Sequence, residues 1–418
     1  MTRAATALRP AIKPLIRLGF QQATRRKWMM VEKLILSTEP RTASSSGLDN
    51  VVAAETMLSH VDGEAGRLIV AGYEVEDLVK AHDFEGAAAA LWNAAGLENA
   101  PSEEAVRRDL GRAREAAFAL VPGLLSLNCH ETVTEGLRTG LSMLSDEPAE
   151  GPAKDIPAHI RALGAAAVFT AALCRAREKK SPVAPDARSG HAEDFLRMLR
   201  GEAASAAEVE ALNAYLVTVA DHGMNASTFT ARVIASTRAG TISAVVGALC
   251  ALKGPLHGGA PGPVLDMLDD IGTRENIEPW LAREIAKGER LMGFGHRVYR
   301  VRDPRADVFN KAVTILTNGN ERVLFARDVE VAALAALRKA KPGNRIDTNM
   351  EYYTAVLLEA LGIPREAVTS VFAMSRIAGW TAHVMEQERV GRLIRPQSKY
   401  VGEWPEDEAA ALGNQYKD

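Results

Sequence analysis

Aromatic residues, cysteines and long apolar runs are all scarce in this chain, and each shortage excludes something. Aromatics make up 5% of the 418 residues, while Ala and Leu are abundant, a balance that leans towards helix. Cys129, Cys174 and Cys250 are isolated and odd in number. They have no metal-ligand or redox spacing and suit a reducing compartment. No apolar run approaches the ~20 residues that span a bilayer. The net charge is −3, which argues against a nucleic-acid-binding surface over the whole protein.

Acidic residues are absent from residues 1–31, which carry Arg3, Arg9, Lys13, Arg17, Arg25, Arg26 and Lys27. That local charge of +7 leaves about −10 on the remainder. An Arg-rich, acid-free leader has the composition of an organelle transit peptide. A disordered tail, or translated sequence upstream of a start at Met29 or Met30, accounts for it equally well. Ser37–Ser46, STEPRTASSS, reads as a flexible linker. Residues 1–46 are therefore expected to be a disordered basic leader and linker, with folded sequence from Gly47.

What is present is a chain long enough for two domains, 47% hydrophobic, with helical patterning through most of its length. Arg67–Val75, RLIVAGYEV, has a hairpin look around Ala71-Gly72. Helices are expected over 84–95, 103–120, with Ser102 as cap, and then 131–145, 157–178, 206–221, 226–238 and 240–252. Lys179–Gly201 starts as an exposed loop. Ile363–Glu386 reads as a long amphipathic helix with Pro364 in its first turn.

Five stretches carry candidate chemistry. Met292–Arg305, MGFGHRVYRVRDPR, sets Gly293 and Gly295 around Phe294, so that backbone can approach a ligand closely. His296 follows, with Arg297, Arg300, Arg302 and Arg305 suited to grip carboxylate or phosphate. Asp303-Pro304 marks a turn or a helix start. In Ala220–Thr230, ADHGMNASTFT, His222 stands beside small residues, with Asn225 or Ser227 as candidate caps. Gly254–Pro261, GPLHGGAP, puts His257 next to bare backbone. In Asn349–Pro364, Glu351 lies in the first turn of a helix that Asp347 or Asn349 could cap, where the helix dipole alone would favour an acid. Arg376 falls mid-helix among Phe372, Ile377 and Trp380, a place that calls for an anionic partner. Together these point to a site for a small polyanion with acid–base chemistry.

The ordered set DH-x-x-NAST, GPLHGGA, MGFGHRVY-x-x-x-DPR, N-x-E-x-Y, R-x-x-GW and RP strongly resembles citrate synthases of the shorter bacterial kind, from about Gly47 to about Gly402. The resemblance implies an all-α, two-domain fold. The large domain would hold residues 47–258 and 363–418, and a smaller mobile domain 259–362. It implies an acyltransferase of the tricarboxylic acid cycle that joins oxaloacetate to acetyl-CoA and hydrolyses the citryl thioester, with no metal or redox cofactor. It also implies a homodimer or higher oligomer, no nucleic-acid or membrane partner, and a cytoplasmic location, or the mitochondrial matrix if the leader is a transit peptide.

By the same resemblance His222 and His296 hold oxaloacetate, with His296 polarising its ketone. Arg305, Arg376 and Arg395 bind carboxylates, Arg395 from the partner subunit. His257 bonds the acyl thioester oxygen, and Arg300 binds coenzyme A phosphate. Glu351 departs from the family pattern, standing where an aspartate is the usual catalytic base. A shift of about 1 Å in a tight site can cost on the order of a hundredfold in rate. Two other functions compete: a 2-methylcitrate synthase using propionyl-CoA, and a non-catalytic paralogue that binds oxaloacetate or coenzyme A.

Overall fold

Capping side chains mark where the helices begin. In the computed structural model, which describes residues 48, 51–97, 101–127, 131–148, 150–257, 261–295, 303–316, 320–341, 346–398 and 400, Ser102 accepts a hydrogen bond from Ala105 N at 3.3 Å and opens the helix Glu103–Phe118. Ser205 and Glu208 form a reciprocal capping box for Ala206–Val219. Asn225, rather than Ser227, caps Ala226–Ser236 by accepting from Ser227 N and Thr228 N, each at 3.1 Å. Asp303 caps Pro304–Ile315, with Pro304 at the first helical position. Asn349, rather than Asp347, caps Met350–Ala360.

The expected hairpin is present. Arg67–Val70 pairs antiparallel with Tyr73–Glu74 around a turn in which Ala71 and Gly72 both have positive φ, 50° and 87°. A third strand, Ser59–Asp62, pairs on the other side of Arg67–Val70, Ser59 opposite Val70. The sequence had not marked this strand, because four residues reading SHVD carry no useful alternation.

Val368–Val390 is the axis of the core. Phe84–Ala94, Ala158–Arg177, Ala206–Val219, Ala226–Ser236 and Thr241–Leu252 all pack against it. The expected amphipathic helix over Ile363–Glu386 is corrected in two ways. The α-helix starts at Val368, after the 3₁₀ turn Arg365–Ala367, with Pro364 ahead of that turn. It is also buried on nearly every side, from Val368 to Gln387, so no solvent face exists. Val133–Ser142 also touches it, through Thr134 and Ser370, and enclosure by these six helices, not periodicity, is the reason. A second group packs together from Pro261–Ile271, Pro304–Ile315, Glu321–Ala340 and Met350–Ala360. Pro304–Ile315 also lies against Ala206–Val219, joining the two groups. No helix among the described residues is long and apolar enough to cross a membrane.

Two core histidines are held neutral. His159 stacks edge-on against Trp92, ring centroids 4.5 Å apart, and burial pushes it down to about 4. His191 is completely buried against Phe84, and burial holds it well below the ordinary imidazole value. The unfolded chain therefore binds these protons at higher pH than the folded one. The stability they contribute is complete above about 6.5 and is lost as pH falls towards the folded values. The unfolding midpoint should drop between pH 7 and pH 5, with a slope of up to about 1.4 kcal/mol per pH unit for each histidine. The double variant His159→Phe, His191→Phe should flatten that slope. An unchanged slope in a thermal melt series would show that other groups carry it.

Candidate functional site

Ser227 and Trp380 fix the ring of His257. The Ser227 backbone N donates to His257 Nε2 at 3.3 Å, and Ser227 Oγ lies 2.8 Å from the same nitrogen. Ser227 Oγ takes the Trp380 indole N–H at 3.2 Å. An Nε2 that accepts from a backbone amide places the ring proton on Nδ1, an assignment made from the hydrogen-bond network. Burial, aided by the charge of Arg376, pushes His257 below the ordinary imidazole value. His257 is thus a neutral ring with a donor at Nδ1. Gly258 and Gly259, the bare backbone beside it, lie outside the described residues.

Arg376 is buried in the middle of the axial helix. Its Nε donates to the carbonyl of Val219 at 2.7 Å, and its guanidinium lies over the Phe372 ring, 4.7 Å from the centroid. The anionic partner expected for it is not in contact: Arg376 makes no ion pair among the described residues. Burial pulls its value down to about 10, against the field of Asp221, and Arg305 adds to the drop. Two guanidiniums thus face one another's charge, an arrangement that favours an entering anion.

Arg305 is also buried, 5% exposed. Asp303 grips it in fork fashion, Oδ1 to Nε at 3.0 Å and Oδ2 to Nη2 at 2.8 Å. Glu351, half-buried in the first turn of Met350–Ala360, feels Arg305 and Arg290, while burial raises its carboxyl above the ordinary value. Glu351, Arg305, Arg376 and His257 therefore form a succession in which each lies within electrostatic reach of the next. The structure brings these four together from stretches far apart in sequence. Arg290 was missed in the sequence, where its only signal was its place just before LMGFG.

Gly293 has a different purpose from the one expected. Its φ is 86°, and a Cβ there would lie 2.7 Å from Tyr352 Cδ2, so the close approach is to an aromatic ring and not to a ligand. Gly295 has a φ of 79° and open space beside it. A short ladder ties this loop to the Glu351 helix: Gly295 N donates to Asp347 O, Asn349 N to Gly293 O, and Asn349 Nδ2 to Gly295 O. His296 and Arg300, with Arg297 and Arg302, lie outside the described residues.

His222 is half-buried on the turn between Ala206–Val219 and Ala226–Ser236. Arg395 is not gathered with the others. It is exposed, and the neighbouring Ile394 N donates to Ser236 Oγ at 3.1 Å. Ser236 is nine residues along the helix from Ser227, roughly 14 Å at 1.5 Å per residue. No set of three or more His, Cys, Asp or Glu among the described residues is placed to hold a metal ion.

The family model for the citrate synthase C-terminal domain matches residues 47–397. The chain is 36% identical over 367 residues to citrate synthase 2 of Bacillus subtilis, covering 86% of this chain and 96% of that protein. It is 35% identical over 378 residues to a 2-methylcitrate synthase of Mycobacterium tuberculosis, covering 88% and 92%. The fold is similar to that of a Thermoplasma acidophilum citrate synthase crystallised with carboxymethyl coenzyme A and oxaloacetate, with a TM-score of 0.72, 28% identity, and coverage of 86% and 96%.

Gly379 is where the axial helix meets the His222 turn. A Cβ at Gly379 would come within 2.3 Å of Ala220 O and 2.6 Å of Asp221 Oδ1. Gly379→Ala should cost about 1–3 kcal/mol, the range for overpacking a close contact. Chemical denaturation checks this, and an unchanged midpoint would mean that the turn moves aside freely.

Proposed function

The chain belongs to the citrate synthase family, and we propose that it condenses oxaloacetate with acetyl-CoA, then hydrolyses the citryl thioester to citrate and coenzyme A. It is an acyltransferase of that family. The observation that carries the assignment of roles is the grouping of one carboxylate, one neutral histidine and two buried arginines.

Glu351 is the base that takes a proton from the acyl methyl group. Burial raises its carboxyl above the ordinary value, against the charges of Arg290 and Arg305, which makes it a stronger base than an ordinary glutamate. The enol that forms needs a donor at its oxygen. His257 supplies one from Nδ1, because Ser227 occupies Nε2. The enol then attacks the ketone of oxaloacetate, whose oxygen gains charge. Arg305, Arg376 and His222 hold the carboxylates and stabilise that charge, with His296 on the ketone and Arg300 on a coenzyme A phosphate. No metal or redox group is required for these steps.

Arg395 acts on the site of a partner subunit in a homodimer. Its exposure and its anchorage at the Ser236 end of the helix support this. We assign the large domain to 47–258 and 363–418 and a closing small domain to 259–362, a division supported by the two packing groups. A cytoplasmic location fits the free thiols of Cys174 and Cys250.

A second reading, 2-methylcitrate synthesis from propionyl-CoA, draws support from the Mycobacterium relative. One methylene discriminates by only about 1–3 kcal/mol in an apolar pocket. Steady-state assays with oxaloacetate and each acyl-CoA test the reaction and rank the two substrates.

Glu351→Gln should abolish solvent exchange of the acyl-CoA methyl protons in the presence of an oxaloacetate analogue, with oxaloacetate binding nearly intact. In the wild type, kcat/KM should fall as pH drops through a Glu351 value above the ordinary 4.5, because only the carboxylate accepts the proton. Near-normal exchange in Glu351→Gln would remove this residue from the base role.

Mixing inactive Arg395→Leu subunits with inactive His296→Ala subunits should restore part of the activity, since a hybrid dimer holds one intact site. No recovery in verified hybrids would place Arg395 in its own chain's site.

A further inference from the structure

The face of the axial helix that carries Arg376 continues as a buried polar stripe. Arg376, Gly379, His383 and Glu386 follow at steps of three and four residues, so they lie along one side. Arg232, from Ala226–Ser236, reaches across to this stripe. Its Nε donates to His383 Nδ1 at 3.0 Å, its Nη1 to Gln387 Oε1 at 3.1 Å, and its Nη2 pairs with the Glu386 carboxylate. Because His383 Nδ1 accepts, its ring proton sits on Nε2. That nitrogen lies 3.2 Å from Asp221 Oδ1, a close contact without ideal hydrogen-bond alignment. The other carboxylate oxygen, Asp221 Oδ2, accepts from the hydroxyl of Ser59 on the first strand and from Gly223 N at 3.3 Å. Ser59 Oγ in turn accepts from Gly223 N at 3.0 Å.

Asp221 is completely buried and clamped between a strand and a helix. The residues around it serve the site directly. Val219 supplies the carbonyl for Arg376 Nε, and His222 is next in sequence. Five consecutive residues, 219–223, thus carry an anchor for one expected oxaloacetate group and the whole of another. A carboxylate in so dry a place would be costly without these partners. Moving it would disturb both Arg376 and His222.

We propose that Ser59 and His383 are positioning residues for oxaloacetate: they clamp Asp221 beside Arg376 and set the turn that presents His222. The proposal rests on the citrate synthase reading of the site, and it adds residues that act without touching substrate. A purely structural clamp would affect stability and the active fraction alone. A positioning clamp acts on one substrate and spares the other.

The test compares Ser59→Ala with Ser59→Thr and His383→Ala with His383→Gln, using oxaloacetate and acetyl-CoA varied in turn. Ser59→Ala and His383→Ala should raise the KM for oxaloacetate about tenfold and change that for acetyl-CoA less than about twofold, the scale of losing one hydrogen bond to a charged group. Ser59→Thr and His383→Gln keep a donor and should recover most of the loss. A lower melting point and lower kcat with both KM values unchanged would overturn the proposal. Should His383→Ala fail to fold, the Ser59 pair decides, because Ser59 lies at the core's edge: wild-type oxaloacetate KM in Ser59→Ala overturns it. Calorimetric titration of oxaloacetate alone separates this from the reaction itself. Wild-type protein that binds oxaloacetate without condensing it would refute the proposed reaction, while weaker binding by Ser59→Ala would still support the clamp.

Discussion

A guanidinium enclosed in the middle of the axial helix sets the terms for everything around it. Arg376 cannot be buried cheaply, and the fold answers with a backbone carbonyl, an aromatic face and the field of a nearby carboxylate. None of these is a direct ion pair. The Arg376 charge therefore has no contacting counter-ion among the described residues, and Arg305, held by Asp303, lies within electrostatic reach. A buried positive charge without a contacting carboxylate favours the approach of an anion. A substrate with two carboxylates can complete what the protein leaves unfinished.

The axial helix is also polar elsewhere along its length, where helical cores are usually apolar. Ser370, Ser375, Thr381, His383 and Glu386 are all buried along the same helix. Thr381 receives the Trp92 indole N–H at 3.0 Å, and Ser375 donates to the carbonyl of Leu216. Ser370, Ser375 and Thr381 each meet a different neighbouring helix, and His383 and Glu386 both meet Arg232, so these contacts also fix how those helices sit. Gly379 allows the closest of these approaches, because there is no room for even a methyl group between the helix and the turn that carries His222.

Burial also shifts Glu351 and His257, the two groups to which the acid–base roles are proposed. Desolvation raises Glu351 and lowers His257, so the carboxylate becomes more basic as the imidazole stays neutral. The two shifts have opposite signs and one cause. Arg290 and Arg305 oppose the first shift, and Arg376 adds to the second. Glu351 is kept from a larger rise by positive charge, whereas His257 is pushed further down by it.

Local chemistry was legible in the sequence. The Ser102 cap, the helix start at Asp303-Pro304, the Ala71-Gly72 hairpin and most helix spans could be read there, and the caps at Asn225 and Asn349 were narrowed to two candidates each, since all rest on contacts a few residues apart. The motif order identified the candidate site residues and the family. What only the tertiary structure decided involves partners far apart in the chain. Val368–Val390 is buried nearly all round because six helices meet on it, and its own pattern gave no warning. Gly293 makes room for Tyr352, and Arg376 lacks the ion pair its setting called for. The clamp on Asp221 joins positions 162 residues apart through Ser59, and Arg232 reaches His383 across 151. A side chain's type and its immediate neighbours determine how it caps, turns or titrates. Which distant charge it must answer is decided only when the helices pack.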